Sequence, residues 1–140
     1  ALDKGAKKMI DENKFHFPKE HKNYLVPQVL TNVSHEMDFM TEETFGPCVG
    51  IMKVSDENEA IKLMNDSPYG LTASIWTNDI GVAEKIGNQV QTGTFFMNRC
   101  DYLDPALSWT GVKETGKGCS LSEIAYEKLT APKSFHLRKG

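Results

Sequence analysis

Residues 48–97 read CVGIMKVSDENEAIKLMNDSPYGLTASIWTNDIGVAEKIGNQVQTGTFFM. The run Cys48–Val54 is short and almost continuously apolar, the pattern of a strand buried on both faces. Asp56 with Glu59 three positions on fits an N-cap and its capping box. The helix that follows carries Ala60, Ile61 and Met64 on one face and stops at the turn cluster Ser67-Pro68-Tyr69-Gly70. Leu71–Trp76 then alternates, with Leu71, Ala73 and Ile75 facing one way. Asn78 or Asp79 caps a second helix, whose inner face is Ile80, Ala83, Ile86 and Val90. Gly93 ends the connection, and Thr94–Met97 reads as another buried strand. Strand, helix, strand, helix and strand at this spacing imply right-handed crossovers. The fold class is α/β, with a mainly parallel sheet and flanking helices.

Outside this block the pattern is weaker. Leu2, Ala6, Met9 and Ile10 stand at helical spacing and predict an amphipathic helix over residues 2–12. The first residue is Ala1, with almost nothing ahead of that helix to cap it, as in a chain that has been cut into. Residues 14–23 read as a loop broken by Pro18. Residues 24–33 read as a strand in which Pro27 has no N–H to donate, so an edge or irregular strand is expected. Downstream, residues 98–119 are loop-like and Leu121–Leu129 is a short helix. Lys133–Arg138 alternates, Phe135 and Leu137 against His136 and Arg138, as a terminal strand that pairs elsewhere, for example with another subunit. Residues 1–132 thus form one body and 133–140 a terminal strand or tail.

Length and composition bound the function. A chain of 140 residues is one domain or a piece of one. A net charge of −3 with 25 % charged residues gives no basic face for nucleic acid and no basic cluster for an anionic membrane. No apolar run approaches the length of a membrane span. The three cysteines, Cys48, Cys100 and Cys119, show neither CxxC nor metal spacing, which points to a cytoplasmic or other reducing intracellular setting. Small molecules or protein surfaces are the expected partners.

Few residues carry chemistry unaided. GVKETGKG, residues 111–118, matches much of a phosphate-binding loop but places Gly118 where a hydroxyl should ligate magnesium. It reads as a surface loop. His16, His21, His35 and His136 are not at ligand spacing and read as exposed loop residues. Cys48 reads as inert core, whereas Cys100 beside Arg99 and Cys119 near Lys117 are weak candidates for a reactive thiol. Glu42-Glu43 alone means a solvated loop. With Phe45 beside them the arrangement suits a nucleotide riboside: a carboxylate accepts hydrogen bonds from ribose hydroxyls, and a ring face packs on a flat base.

Four segments then line up with one family. Glu42-Glu43-Thr44-Phe45-Gly46-Pro47 resembles the EE-x-FGP motif of the aldehyde dehydrogenase superfamily. Asn65–Ser74 is similar to its ND-x-x-YGL-x-A-S segment, Gly93–Asn98 to its GT-x-x-x-N strand, and Thr110–Gly116 to its GG-x-K-x-SG loop. The resemblance covers essentially the whole chain and implies part of the catalytic domain, towards its C-terminal end. It implies that Glu43 binds the ribose of the nicotinamide half of NAD or NADP and that Phe45 packs near the nicotinamide. It further implies that Asp101, Leu103 and Trp109 help wall an aldehyde pocket, and that the strand around Phe135–Leu137 belongs to a homo-oligomer surface.

The departures are specific. The family mechanism uses a nucleophilic Cys in a Gly-Gln-x-Cys-like stretch and a Glu base that activates water. No stretch of these 140 residues matches either, so no catalytic residue is assigned here and the chain by itself is expected to be inactive. Thr110 replaces the first Gly of the GG-x-K loop, Val112 an aromatic, and Trp109 stands where Phe is common. Those changes alter pocket shape and leave the aldehyde open, as they leave NAD versus NADP. A reading of another class makes the chain an assembly module acting through its terminal strand. A third, within the superfamily, makes it a piece of an acyl-phosphate or acyl-CoA reductase.

Overall fold

The computed structural model describes residues 1–16, 20 and 23–140; the break expected at Pro18 and the loop histidine His21 lie outside the described residues. The chain divides into two units, Ala1–Ser67 and Pro68–Gly140. In the first, β1 (Lys7–Lys8), β2 (Gln28–Thr31) and β3 (Cys48–Gly50) form one sheet. β2 is central, antiparallel to β1 and parallel to β3, with Gln28 opposite Cys48. The edge position expected from Pro27 is therefore corrected. The proline precedes the first paired residue, so its missing N–H leaves the ladder intact.

The helix expected over residues 2–12 does not form. Leu2–Lys4 makes one 3-10 turn, which Gly5 ends at φ 97°, a left-handed conformation open to glycine because it lacks a Cβ. Farther on, the buried Gln28 side chain takes the main-chain groups that a helix would have used. Its Oε1 accepts from the Met9 and Ile10 N–H groups at 3.2 and 2.9 Å, and its Nε2 donates to the Ile10 carbonyl at 3.1 Å. Of the apolar positions at helical spacing, Ala6 alone is buried, in a core cluster with Leu30, Val33 and Met37. A second 3-10 turn, Glu12–Lys14, is capped by Asp11. The Lys8 ammonium hydrogen-bonds Glu12 and holds that carboxyl below its ordinary range. Any stability the pair carries is present above the unfolded-state pKa and is lost as pH falls through the folded one.

The run Cys48–Val54 is also shorter and wetter than expected. Only Cys48–Gly50 pairs, and Val49, Ile51 and Val54 are exposed, because β3 is the outer strand of the three. The short helix α1 (Asp38–Thr41) lays Phe39 and Met40 against Gly50, where a Cβ would collide with the Met40 sulfur. α2 (Glu57–Asn65) begins as the capping pattern predicts, the Asp56 carboxylate accepting the Glu59 N–H at 2.9 Å. Glu59 reaches back to the N–H of Ser55 at 2.6 Å, one residue earlier than a standard box. Ile61 is buried, while Met64 keeps an exposed flank.

The second unit contains β4 (Tyr69–Gly70), β5 (Thr72–Ile75), α3 (Ile80–Gly87) and β6 (Thr94–Met97). β5 and β6 pair in parallel from Thr72 opposite Thr94 to Ile75 opposite Met97, with α3 as the crossover. Asp79 is the cap, accepting from Val82 N–H at 3.1 Å. Ala83, Ile86 and Val90 are buried as expected, but Ile80, in the first turn, is 65 % exposed. Residues 98–119 are more ordered than a loop. β7 (Trp109–Thr110) pairs antiparallel with β9 (Cys119–Ser120), and β8 (Val112–Lys113) with β4. α4 (Ile124–Leu129) starts later than Leu121, because Leu121 and Ser122 both have left-handed backbones at φ 62° and 56°.

The mixed α/β class holds, with small sheets whose longest ladders, β2–β3 and β5–β6, are the parallel ones. The strand expected over Lys133–Arg138 is absent from the chain itself, with Phe135 and Leu137 exposed. A strand forms by pairing, and this segment has no ladder to join here.

Three glycines set the second unit's closest backbone approaches. A Cβ on Gly93 would overlap the Thr110 carbonyl; one on Gly70 would meet the Gln91 carbonyl, and one on Gly111 the Thr115 side chain. Gly118 has open space around it. We expect Gly93→Ala to lower the unfolding free energy by about 3 kcal/mol and Gly118→Ala by less than ~0.5 kcal/mol. Urea titration followed by circular dichroism measures both, and equal midpoints would contradict the close approach at Gly93.

Candidate functional site

The loop between α1 and β3 carries the first group of expected residues. Its exit is anchored: the Gln28 N–H donates to the Pro47 carbonyl at 2.8 Å, and the Cys48 N–H to the Gly46 carbonyl at 2.8 Å. That anchor starts β3 and leaves the preceding residues outside the sheet. Glu43 is exposed, and Phe45 is 94 % exposed. A whole aromatic ring in water is the informative case, since scattered apolar exposure is ordinary but a full ring is not. The loop can therefore offer a carboxylate and a free ring face, which are the groups that a ribose and a flat base require.

The second unit holds a pocket of about 240 Å³. Leu103 and Trp109 line it, as expected; Asp101 does not. The Asp101 carboxylate accepts from Arg99 Nη2 at 3.2 Å, and the Arg99 guanidinium lies 4.3 Å from the centre of the Tyr102 ring. Asp101 thus orients a cation at the rim and is no part of the wall.

Sequence reasoning missed Phe96, Tyr102, Leu107 and Leu121, which also line the pocket. A signal for Phe96 was available. Along a strand, alternate residues share a face, so Thr94 and Phe96 look one way and Phe95 the other. Phe95 packs against Gly87 of α3, while Thr94 and Phe96 line the pocket. The Thr94 hydroxyl is buried with no hydrogen-bond partner among the described residues.

Two clips shape this pocket. Asn98, left-handed at φ 56°, accepts from Thr77 N–H at 3.0 Å through Oδ1 and donates to the Thr77 carbonyl at 2.8 Å through Nδ2. This ties the end of β6 to the turn after β5 and sets the direction of the loop that follows. Ser122 donates its N–H to the Pro105 carbonyl at 2.9 Å, and its hydroxyl lies 3.0 Å from that of Ser108. The second clip holds Leu121 in the wall.

The other candidates fall away for local reasons. Residues 111–118 run through β8 into β9, with Lys113 at φ 56° and Gly116 at φ 122°. No helix follows Lys117, so the N–H groups that cradle phosphate at a helix start are not provided. His16 and His136 are exposed. His35 is not a free loop histidine; its Nδ1 lies 3.0 Å from the Asp66 carboxylate and its side chain is mostly covered. Cys48 is half-buried rather than deep core. No group of three or more His, Cys, Asp or Glu side chains among the described residues could hold a metal. None of the described helices is long and apolar enough to cross a membrane.

Comparison with known proteins gives one consistent answer. Residues 1–135 match the model of the aldehyde dehydrogenase family. An aldehyde dehydrogenase of Emericella nidulans is 36 % identical over 117 residues, covering 84 % of this chain and 24 % of the relative. Among solved structures, betaine aldehyde dehydrogenase of Staphylococcus aureus in complex with NAD+ superposes with a TM-score of 0.79 at 30 % identity, covering 91 % of this chain and 26 % of that one. Gox0499 superposes with a TM-score of 0.85 at 33 % identity, covering 99 % and 30 %. The chain spans about a quarter of the length of the curated relatives it matches.

The thiols differ in access, Cys100 being exposed and Cys48 and Cys119 half-buried. Limited alkylation with iodoacetamide, mapped by mass spectrometry, should label Cys100 first. Labelling of Cys48 ahead of it would contradict this arrangement.

Proposed function

Because the chain belongs to the aldehyde dehydrogenase family, we propose that it is the C-terminal part of the catalytic domain of an NAD(P)-dependent enzyme that oxidises an aldehyde to a carboxylic acid. The observation that carries this reading is the α1–β3 loop, with Glu43 in solvent and the Phe45 ring 94 % exposed. The NAD+ complex of the betaine aldehyde dehydrogenase supports a nicotinamide cofactor. When bound, that cofactor accepts the hydride.

The chain's own residues orient and enclose. The Glu43 carboxylate accepts hydrogen bonds from ribose hydroxyls, which fixes the riboside. The face of Phe45 packs on the nicotinamide side and keeps water off it. Leu103 and Trp109 wall the aldehyde pocket, and Asp101 holds Arg99 at its rim. The nucleophilic Cys and the Glu base have no match in these residues, so the 140-residue chain alone is inactive. The exposed Phe135 and Leu137 support a terminal strand completed by a second subunit.

In the longer polypeptide bearing this sequence, Glu43→Gln is expected to reduce kcat/KM for NAD(P)+ about tenfold, the equivalent of one charge-assisted hydrogen bond. Following reduced-cofactor absorbance with an excess of aldehyde measures it, and unchanged turnover and cofactor affinity would sink the assignment of Glu43. The 140-residue chain itself should form no reduced cofactor from aldehyde with either NAD+ or NADP+.

A further inference from the structure

We infer that the pocket of the second unit selects an aldehyde whose side chain is neutral and carries a single ring, an inference that rests on the dehydrogenase reading above. Three observations support it. The first is size. At about 240 Å³ the pocket lies below the roughly 300 Å³ at which sites for drug-sized ligands begin, and it suits one ring.

The second is the wall. Phe96, Tyr102, Leu103, Leu107, Trp109 and Leu121 all line it. Three of these are aromatic, and aromatic side chains gain beyond area burial from edge-to-face or offset contact with another ring. A short aliphatic chain would gain burial alone.

The third is charge. Arg99 is held by Asp101 and by the Tyr102 ring, and the Asp104 carboxylate accepts the Ala106 N–H at 2.9 Å. The Thr94 hydroxyl, whose need is unmet among the described residues, is neutral. A carboxylate or ammonium on the ligand would have to compete with these existing pairs and shed its own water, a penalty that an uncharged ring avoids.

The chain offers its own reporter. It has two tryptophans, of which Trp109 lines the pocket and Trp76 does not, being 64 % exposed. The two indole N–H signals of 15N-labelled chain, assigned with Trp76→Phe, are followed during titration. The probe is benzyl alcohol, a neutral one-ring molecule that forms no Schiff base with lysine. Trp109 should move saturably while Trp76 stays. Binding of 1-propanol and of benzoate should be at least about tenfold weaker. Leu103→Asp, at an exposed part of the wall, should weaken benzyl alcohol by a similar factor.

Parallel movement of both indoles, or equal binding of 1-propanol or benzoate, would overturn the selectivity. The longer polypeptide separates this from failure of the dehydrogenase reading. Reduced cofactor formed from acetaldehyde but not from benzaldehyde overturns the pocket inference alone. Saturable ring binding without reduced cofactor from any aldehyde overturns the activity, and with it the identification of the ring as a substrate.

Discussion

The absence of a side chain at Gly93 is what the second unit depends on. The Thr110 carbonyl occupies the place where a Cβ would stand, so β7 can cross directly over the start of β6. The same turn donates the Gly93 N–H to Gly70 and the Thr94 N–H to Leu71, which starts the parallel ladder with β5. Gly70 and Gly111 complete the approach from the other two segments. Once these backbones touch, Thr94 and Phe96 face Trp109 across a short gap, and the pocket is the space between them. The site is thus a by-product of backbone contact, with side chains filling its rim.

Much of this was legible wherever a local rule acts alone. Asp56 and Asp79 cap their helices through hydrogen bonds to residues three positions on, which sequence spacing expresses directly. The β5–α3–β6 unit follows from alternation and from the buried face of α3. Reading failed where a distant residue competes for the same backbone. Leu2, Ala6, Met9 and Ile10 have helical spacing, yet Gln28, far along the chain, claims the main chain of Met9 and Ile10. Nothing local to residues 2–12 announces that, although Gly5 could have been weighed as a stop. Cys48–Val54 failed for a related reason. Apolarity predicts a buried strand, but burial needs a covering layer, and in this chain β3 has only one neighbouring strand.

The candidate site divides in the same way. Glu43 and Phe45 came from a motif, and their exposure is consistent with a binding role without testing it. Leu103 and Trp109 fall on a pocket wall, whereas Asp101 falls beside it, engaged with Arg99. Phe96 needed only strand parity, but Tyr102, Leu107 and Leu121 needed the path of the chain after Asn98. That path is set by a doubly bonded side-chain amide on a left-handed backbone and by two successive left-handed residues before α4. Left-handed conformations at non-glycine positions are uncommon, so a reading by residue type passes over them.

The two rims of the first unit's sheet differ in how they discourage unwanted company. β1, along one rim, is Lys7–Lys8, and paired lysines on a sheet border repel an incoming strand. β3, along the other, continues into Ile51–Val54 with Val49 and Ile51 turned to solvent. Lys53 is the sole charge in the window from Cys48 to Val54. A window of that kind is prone to cross-β stacking, and one flanking charge is the usual guard against it. Colloidal behaviour at high concentration is therefore governed by Lys53, so acetylation or loss of that single ammonium would turn the open rim into a template for fibrillar growth.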